Sequence, residues 1–197
     1  MATQYISCAD TAKLIRQALK EAFPDVKFSV RSDVYSGGAS IRVKWTDGPN
    51  TRQVEAVAKV FEGGYFDGMI DYQGSCYSLL DGQVTSFGAD FVFCNRSYSA
   101  AAIQKAIDSV AREYAGNLKA DGAVIPTVDD YQMGRTFSMA IPAMSGNYWG
   151  WGELINRKLS KNSDRMKVEN SKTAGKVIYL GNDGCSQVGA LSEGALA

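Results

Sequence analysis

The sequence of 197 residues contains no histidine. This absence excludes Ser-His-Asp and Cys-His nucleophilic systems, histidine-ligated zinc and the commonest general base near neutral pH. Any catalysis would depend on carboxylates, lysine, tyrosine or cysteine. We therefore expect a protein that acts by binding, with no catalytic residues, no metal ion and no cofactor.

Cysteine is scarce, and no two cysteines have Cys-x-x-Cys spacing. A zinc site built from cysteine alone would need all four, including Cys185 close to the C-terminus. We interpret Cys8, Cys76, Cys94 and Cys185 as free thiols in a reducing compartment. Cys8 and Cys94 lie in apolar patterns and are expected to be small core residues.

The chain also lacks a long apolar run and a net charge. No stretch approaches about 18 consecutive apolar residues, and the first residues lack a basic region followed by an apolar run, so we expect a cytoplasmic protein without a membrane span. The 21 basic residues balance the 21 acidic ones, which argues against a protein that simply coats DNA. The charges are unevenly distributed: residues 1–62 carry nine basic and seven acidic side chains, 63–131 four and nine, and 132–197 eight and five. This segregation allows a local basic face.

The first part of the chain predicts the order helix, strand, strand, helix. Residues 7–23 have a helical apolar stripe, begin at Ser7 and end before Pro24. Residues 26–31 and 40–45 alternate apolar and polar side chains and predict an antiparallel hairpin with a longer loop. A second helix with its apolar stripe on 54–61 follows, and both helices can pack on the apolar face of the hairpin.

The remaining segments are less regular. Residues 65–88 show little periodicity, apart from a short strand expected at 84–87. The other expected elements are a strand at 91–94, a helix capped by Ser99 that ends before Gly116, a strand at 123–128, a helix at 153–159 and a strand at 177–180.

These elements predict an α+β fold, with an antiparallel sheet that carries helices on one face and an irregular C-terminal extension. We expect a core domain at 1–116, an extension at 117–180 and a disordered tail at 181–197.

Four segments together resemble a known family. They are, in order, TAKLIRQALKEAFP, VKFSVRSDVYSGGASIRVKWTDGP, FEGGYFDGMIDY and FGADFVFCNRSYS. At these distances they resemble the large polyvalent protein-associated domain family, the twenty-ninth of its series, over roughly residues 5–115. The resemblance implies a phage or other mobile-element protein and suggests a counter-defence role, such as inhibition of CRISPR or restriction machinery. It implies no catalytic residue.

The polar face of the hairpin is the first candidate binding site. Lys27 and Arg31 on one strand, and Arg42 and Lys44 on the other, all occupy alternate positions. If both apolar faces point inward, these four cations share one surface. The surface is either a patch for phosphates or an acidic protein, or a solvated sheet face that discourages edge pairing.

Three further sites carry basic or aromatic side chains. Arg96 precedes the Ser99-capped helix, where a helix N-terminus favours anions; the alternative is simple capping. Tyr148, Trp149 and Trp151 form an aromatic, glycine-rich segment that either binds a partner or covers the core. A basic run begins with the cations Arg157, Lys158 and Lys161 and either contacts nucleic acid or is merely solvated.

Two patterns are better explained by turns. Gly37 and Gly38 allow a close approach to phosphate, but they match no phosphate-binding motif and suit a hairpin loop. The acids Asp67, Asp71, Asp81 and Asp90 could bind a divalent cation, but two of them precede glycine as in ordinary turns.

These features favour an inhibitor that binds a host defence complex such as a CRISPR effector. The alternatives are a nucleic-acid-binding accessory protein of a mobile element and, less favoured, a carboxylate-dependent enzyme.

Overall fold

The computed structural model describes residues 3–120, 122–142, 150–163 and 168–186, and its α+β class confirms the prediction. The strands are β1 (Gln4–Ile6), β2 (Ser29–Tyr35), β3 (Gly38–Thr46), β4 (Gly64–Asp67), β5 (Tyr72–Leu80), β6 (Gln83–Phe87), β7 (Phe91–Ser97) and β8 (Val177–Asn182). The helices are α1 (Cys8–Ala22), α2 (Thr51–Ala58), α3 (Ala100–Glu113), α4 (Val128–Gln132) and α5 (Trp151–Lys161).

The chain divides into two compact units. The first contains the described residues of 1–45, 51–95 and 166–197, and the second those of 46–50 and 96–165. The domain boundaries expected at 116 and 180 stay a prediction.

The first helix forms where its sequence pattern places it. The Ser7 side chain accepts a hydrogen bond of 3.2 Å from the backbone N–H of Asp10, which satisfies one of the unpaired donors at the start of α1. Ala12, Ile15 and Leu19 are fully buried along one stripe. The helix expected at 7–23 is therefore confirmed.

The hairpin of β2 and β3 is antiparallel, but its expected long loop is wrong. Strand pairing continues past Asp33, which faces Ser40, as far as Tyr35, which faces Gly38. Only Ser36 and Gly37 connect the strands, and Gly37 has a φ of 93°. Turn-forming residues thus extend the strands, and glycine at position 37 adopts the positive φ that this two-residue turn requires.

One sheet has the strand order β2-β3-β7. Its inner face contributes Val30, Ile41, Val43 and Val92 to a core that also contains the apolar stripes of α1 and α2. The expectation that both helices pack on the apolar face of the hairpin is confirmed. The opposite face of this sheet is called the outer face below.

The second sheet has the order β1-β6-β5-β4, with β8 also paired to β5. The strands expected at 84–87 and 177–180 are confirmed as parts of β6 and β8.

The sequence pattern missed β4 and β5, because β5 turns small or polar residues inward: Gly74, Cys76 and Ser78 are buried. A Cβ atom on Gly74 would lie 2.3 Å from the ring of Tyr65, so the close packing of these strands requires glycine there.

The second unit is built from α3, α4 and α5. Ile107, Val110, Trp151 and Ile155 form part of its buried core. The helix expected between Ser99 and Gly116 is confirmed as α3, and the helix expected at 153–159 is confirmed as part of α5. The strand expected at 123–128 is wrong, because Thr127 and Asp130 form a capping box that begins α4 instead.

Candidate nucleic-acid interface

Three of the four hairpin cations lie together on the outer face. Arg31 and Arg42 are direct partners in the strand register, and Lys44 faces Ser29 in the same register. Residues directly opposite each other in an antiparallel pair project from the same side of the sheet. All three cations are exposed, whereas Lys27, also exposed, precedes β2 and lies outside the paired strands.

Aromatic rings share this face. Val92 and Cys94 of β7 pack toward the core, so the alternating Phe91 and Phe93 project from the outer face. Phe93 is 48% exposed, and its ring centroid lies 6.3 Å from that of Phe91. The 50% exposed Tyr35 lies on the same face at the hairpin turn.

Strand β7 places these rings beside the cations. The N–H of Asp90 donates to the carbonyl of Ala39, and the N–H of Asp47 donates to the carbonyl of Ser97. These two contacts lie at opposite ends of the strand pair, so β7 runs beside β3 in the same direction. Phe93 therefore belongs to the strand next to Arg42.

The three cations of the outer face have no direct partner within the described part of the chain. There, Arg31, Arg42 and Lys44 form no ion pair and no side-chain hydrogen bond. Asp33 is the acid nearest to them in the hairpin register, opposite Ser40. The carboxylate of Asp90 is already engaged, because it accepts a hydrogen bond of 2.7 Å from the N–H of Ala39.

Arg96 does not join this face. Its guanidinium donates to the carbonyls of Asp47 at 3.0 Å and Gly48 at 2.9 Å, and to those of Leu159 at 3.1 Å and Asn162 at 2.8 Å. Four of its five N–H donors are thus satisfied inside the second unit. Arg96 thus ties the 47–48 turn to the end of α5 through backbone carbonyls, whereas the structural alternative paired it with a nearby carboxylate.

The strand-to-helix junction expected to attract an anion already contains one. The carboxylate of Asp47 accepts a hydrogen bond of 2.9 Å from the N–H of Ser99, at the start of α3. Asp47 has a positive φ of 56°. The chain thus supplies its own carboxylate where the helix dipole favours negative charge. Sequence reasoning missed this residue, because Asp47 belongs to a turn far from α3 along the chain.

The other predicted site residues belong to the range 148–161. Trp151 is fully buried and is a core residue. Tyr148 and Trp149 lie outside the described residues. On α5, Lys158 pairs with Glu113, the half-buried Arg157 also has a partner, and Lys161 is exposed. The structure therefore does not gather the α5 cations into an unpaired patch.

The acids of the glycine-rich segment have structural roles. Asp71 and Asp81 occupy turns with positive φ, of 51° and 49°. Asp81 pairs with Lys176, and Asp67 accepts hydrogen bonds from the N–H of Met69 and from Ser186. In the described ranges, no three His, Cys, Asp or Glu side chains are grouped as metal ligands.

Three of the four thiols, those of Cys8, Cys76 and Cys94, are unsuited to nucleophilic attack. The four cysteines are unpaired. Burial raises the pKa of Cys94 to about 12 and also raises the pKa values of Cys8 and Cys76. These three thiols are therefore protonated near neutral pH, and a protonated thiol is a poor nucleophile. Cys185 is exposed.

The two sheets and the helices packed on them define an α+β fold. Residues 6–99, slightly less than half of the chain, match the family model of large polyvalent protein associated domain 29. The resemblance expected over 5–115 is confirmed over residues 6–99, and the protein is associated with phages or other mobile elements. The comparisons found no matching curated protein and no matching solved structure.

No helix in the described ranges is both long and apolar enough to cross a membrane.

Proposed function

We propose that this protein is a nucleic-acid-binding accessory protein of a mobile element, and that the outer face is its binding surface. The observation that supports this proposal most strongly is the direct pairing of Arg31 with Arg42 in the strand register. Two like charges opposite each other in a sheet destabilise the free protein. A phosphate backbone placed over the pair removes this repulsion, and arginine is well suited to phosphate oxygens.

Binding without catalysis is part of this proposal. Near the outer face there is no histidine, and the nearest thiols, Cys8 and Cys94, have raised pKa values. Arginine and phenylalanine can hold and stack a ligand, but neither transfers a proton near neutral pH. We place this activity in the cytoplasm of the host, whose reducing conditions suit unpaired cysteines.

Fluorescence anisotropy of labelled oligonucleotides, measured with the full chain over a range of salt concentrations, tests the proposal. We expect binding that weakens with salt, and a salt slope that falls by about 1.4 in Arg31→Gln/Arg42→Gln, from about 0.7 for each phosphate contact to a single strand. The matched control, Lys20→Gln/Arg52→Gln, removes the same charge from exposed positions on α1 and α2. The proposal fails if no oligonucleotide binds, or if both double variants behave alike.

A second candidate function is inhibition of a host defence complex through protein contact. A different surface favours it: the end of β4 and the turn that follows it expose Phe66 (51%), Met69 (90%) and Ile70 (59%). The carboxylate of Asp67 accepts a hydrogen bond of 2.9 Å from the N–H of Met69 and holds the turn. Apolar side chains clustered at the surface are typical of protein-binding sites. The family match supplies the mobile-element setting for this counter-defence role.

Size-exclusion chromatography with a purified, guide-loaded CRISPR effector complex tests this second candidate. Co-elution, together with loss of target cleavage, is the expected result. Met69→Asp should abolish both, whereas Arg31→Gln/Arg42→Gln should leave both unchanged. Absence of co-elution with the effector complexes of the host would reject anti-CRISPR activity.

A further inference from the structure

We infer that the outer face binds single-stranded nucleic acid, with bases stacked on Phe91 and Phe93 and the phosphate backbone held by Arg31, Arg42 and Lys44. The inference rests on the proposed function and names its ligand class. It starts from one observation: Phe93 is 48% exposed on a sheet whose other face packs against an apolar core.

The two rings form a platform. Phe91 and Phe93 are two residues apart on one strand, with ring centroids at 6.3 Å and planes inclined by 37°. Alternate residues of a strand project from the same side, so the rings lie side by side along β7. Adjacent aromatic side chains on an open sheet stack neighbouring bases in known single-strand binders. The spacing thus suits two successive nucleotides.

The position of the cations completes the arrangement. The outer face has cations on β2 and β3 and rings on the adjoining β7. A single strand can therefore lay its bases over β7 while its phosphates reach the arginines of the neighbouring strands. A positively charged track beside stacking rings is the common design of sequence-tolerant single-strand binding sites.

The same features disfavour a duplex. In a duplex the faces of the bases are covered by their neighbours, so Phe91 and Phe93 would have nothing to stack on. Phenylalanine also has no hydrogen-bonding group with which to read a base edge in a groove. We therefore expect the cations to contribute to binding of either form, and the rings to binding of single strands alone.

The test compares the anisotropy of three labelled probes with the full chain: a 12-nucleotide oligo-dT, a 12-nucleotide oligo-rU and a 12-base-pair duplex. Phe93→Ala should weaken binding of the single strands about tenfold, the effect of losing one stacked base, and leave duplex binding unchanged. Phe93→Leu, which preserves apolar contact, should weaken single-strand binding to a similar extent. Phe93→Tyr, which keeps an aromatic ring, should bind single strands like the unmodified chain. The matched control is Phe66→Ala, because Phe66 is 51% exposed on the other sheet.

The outcomes separate this inference from the proposed function. If Phe93→Leu binds single strands like the unmodified chain while Arg31→Gln/Arg42→Gln loses binding, stacking is wrong and the basic interface stands. Equal affinity for duplex and single strand also overturns stacking. If no probe binds the unmodified chain, both proposals fail. Tighter binding of oligo-rU than of oligo-dT would identify RNA as the ligand, and the reverse would identify DNA.

Discussion

Arg31 and Arg42 are directly opposite each other in the register of β2 and β3, and neither has an acidic partner in the described part of the chain. Their repulsion has a measurable consequence for the free protein. Arg42→Gln should raise the free energy of unfolding by about 0.5 kcal/mol, because it removes a like-charged cross-strand pair. The same variant should bind nucleic acid more weakly.

Urea denaturation at low and high salt measures this effect. Added salt should stabilise the unmodified chain more than Arg42→Gln, since it screens the exposed charges. Lys20→Gln, which changes an exposed cation on α1, is the control and should show no gain. A loss of stability in Arg42→Gln at low salt would show that the arginine pair is not under repulsion.

Arg96 should matter for stability and not for ligand binding. Arg96→Lys retains the charge but cannot reach four carbonyl groups at once, so we expect the free energy of unfolding to fall by about 2 kcal/mol. Oligonucleotide affinity should stay unchanged under conditions where the variant is folded. A weakened salt-dependent affinity with normal stability would instead support the anion-binding role expected from sequence.

Glu21 connects the C-terminal segment to α1 in the first unit. Its carboxylate accepts hydrogen bonds from the N–H and hydroxyl of Thr173, from Ser171 and from Gln17. These contacts, chiefly the N–H of Thr173, lower its pKa from 4.5 to about 2. Because the folded pKa is lower, the stabilisation is complete above pH 4.5 and is lost as the pH falls toward 2.

Thermal unfolding from pH 7 to pH 2 tests this prediction. Glu21→Gln should be less stable at pH 7 by about 0.5–1 kcal/mol, a modest value because the site is partly open to water. The difference from the unmodified chain should shrink between pH 4.5 and 2. A difference that stays constant over this interval would mean that ionised Glu21 does not hold the segment. Gln17→Ala, which removes only one donor, should show a smaller effect.

Local patterns predicted the elements whose apolar residues repeat regularly. Helix α1, with Ser7 as its cap and Ile15 and Leu19 in its stripe, belongs to this group. Strand β5 was missed because its buried positions carry Gly74, Cys76 and Ser78, which do not register as apolar. Its burial comes from pairing with strands that are distant in sequence, and periodicity cannot detect such contacts.

The candidate site was predictable in part for a similar reason. The period-two positions of Arg31, Arg42 and Lys44 predict a shared surface, and the register brings these three together. For Phe93, the sequence predicts only a position in the short apolar strand at 91–94. Because Phe93 and Val92 are neighbours on a strand, the sequence predicts that they project from opposite faces of the sheet. Which of the two faces the core depends on the packing of α1 and α2.

The assignment of the outer face as the nucleic-acid interface is tested most directly by an NMR titration of the isotope-labelled full chain with 12-nucleotide oligo-dT. We predict that the largest changes in amide chemical shift occur in the segments 29–33, 41–45 and 91–95, which carry the residues of the outer face. The amide shifts of Lys20 on α1 and Lys161 on α5 should change little. Changes confined to α5, or no saturable change at any residue, would contradict the assignment of the outer face as the nucleic-acid interface.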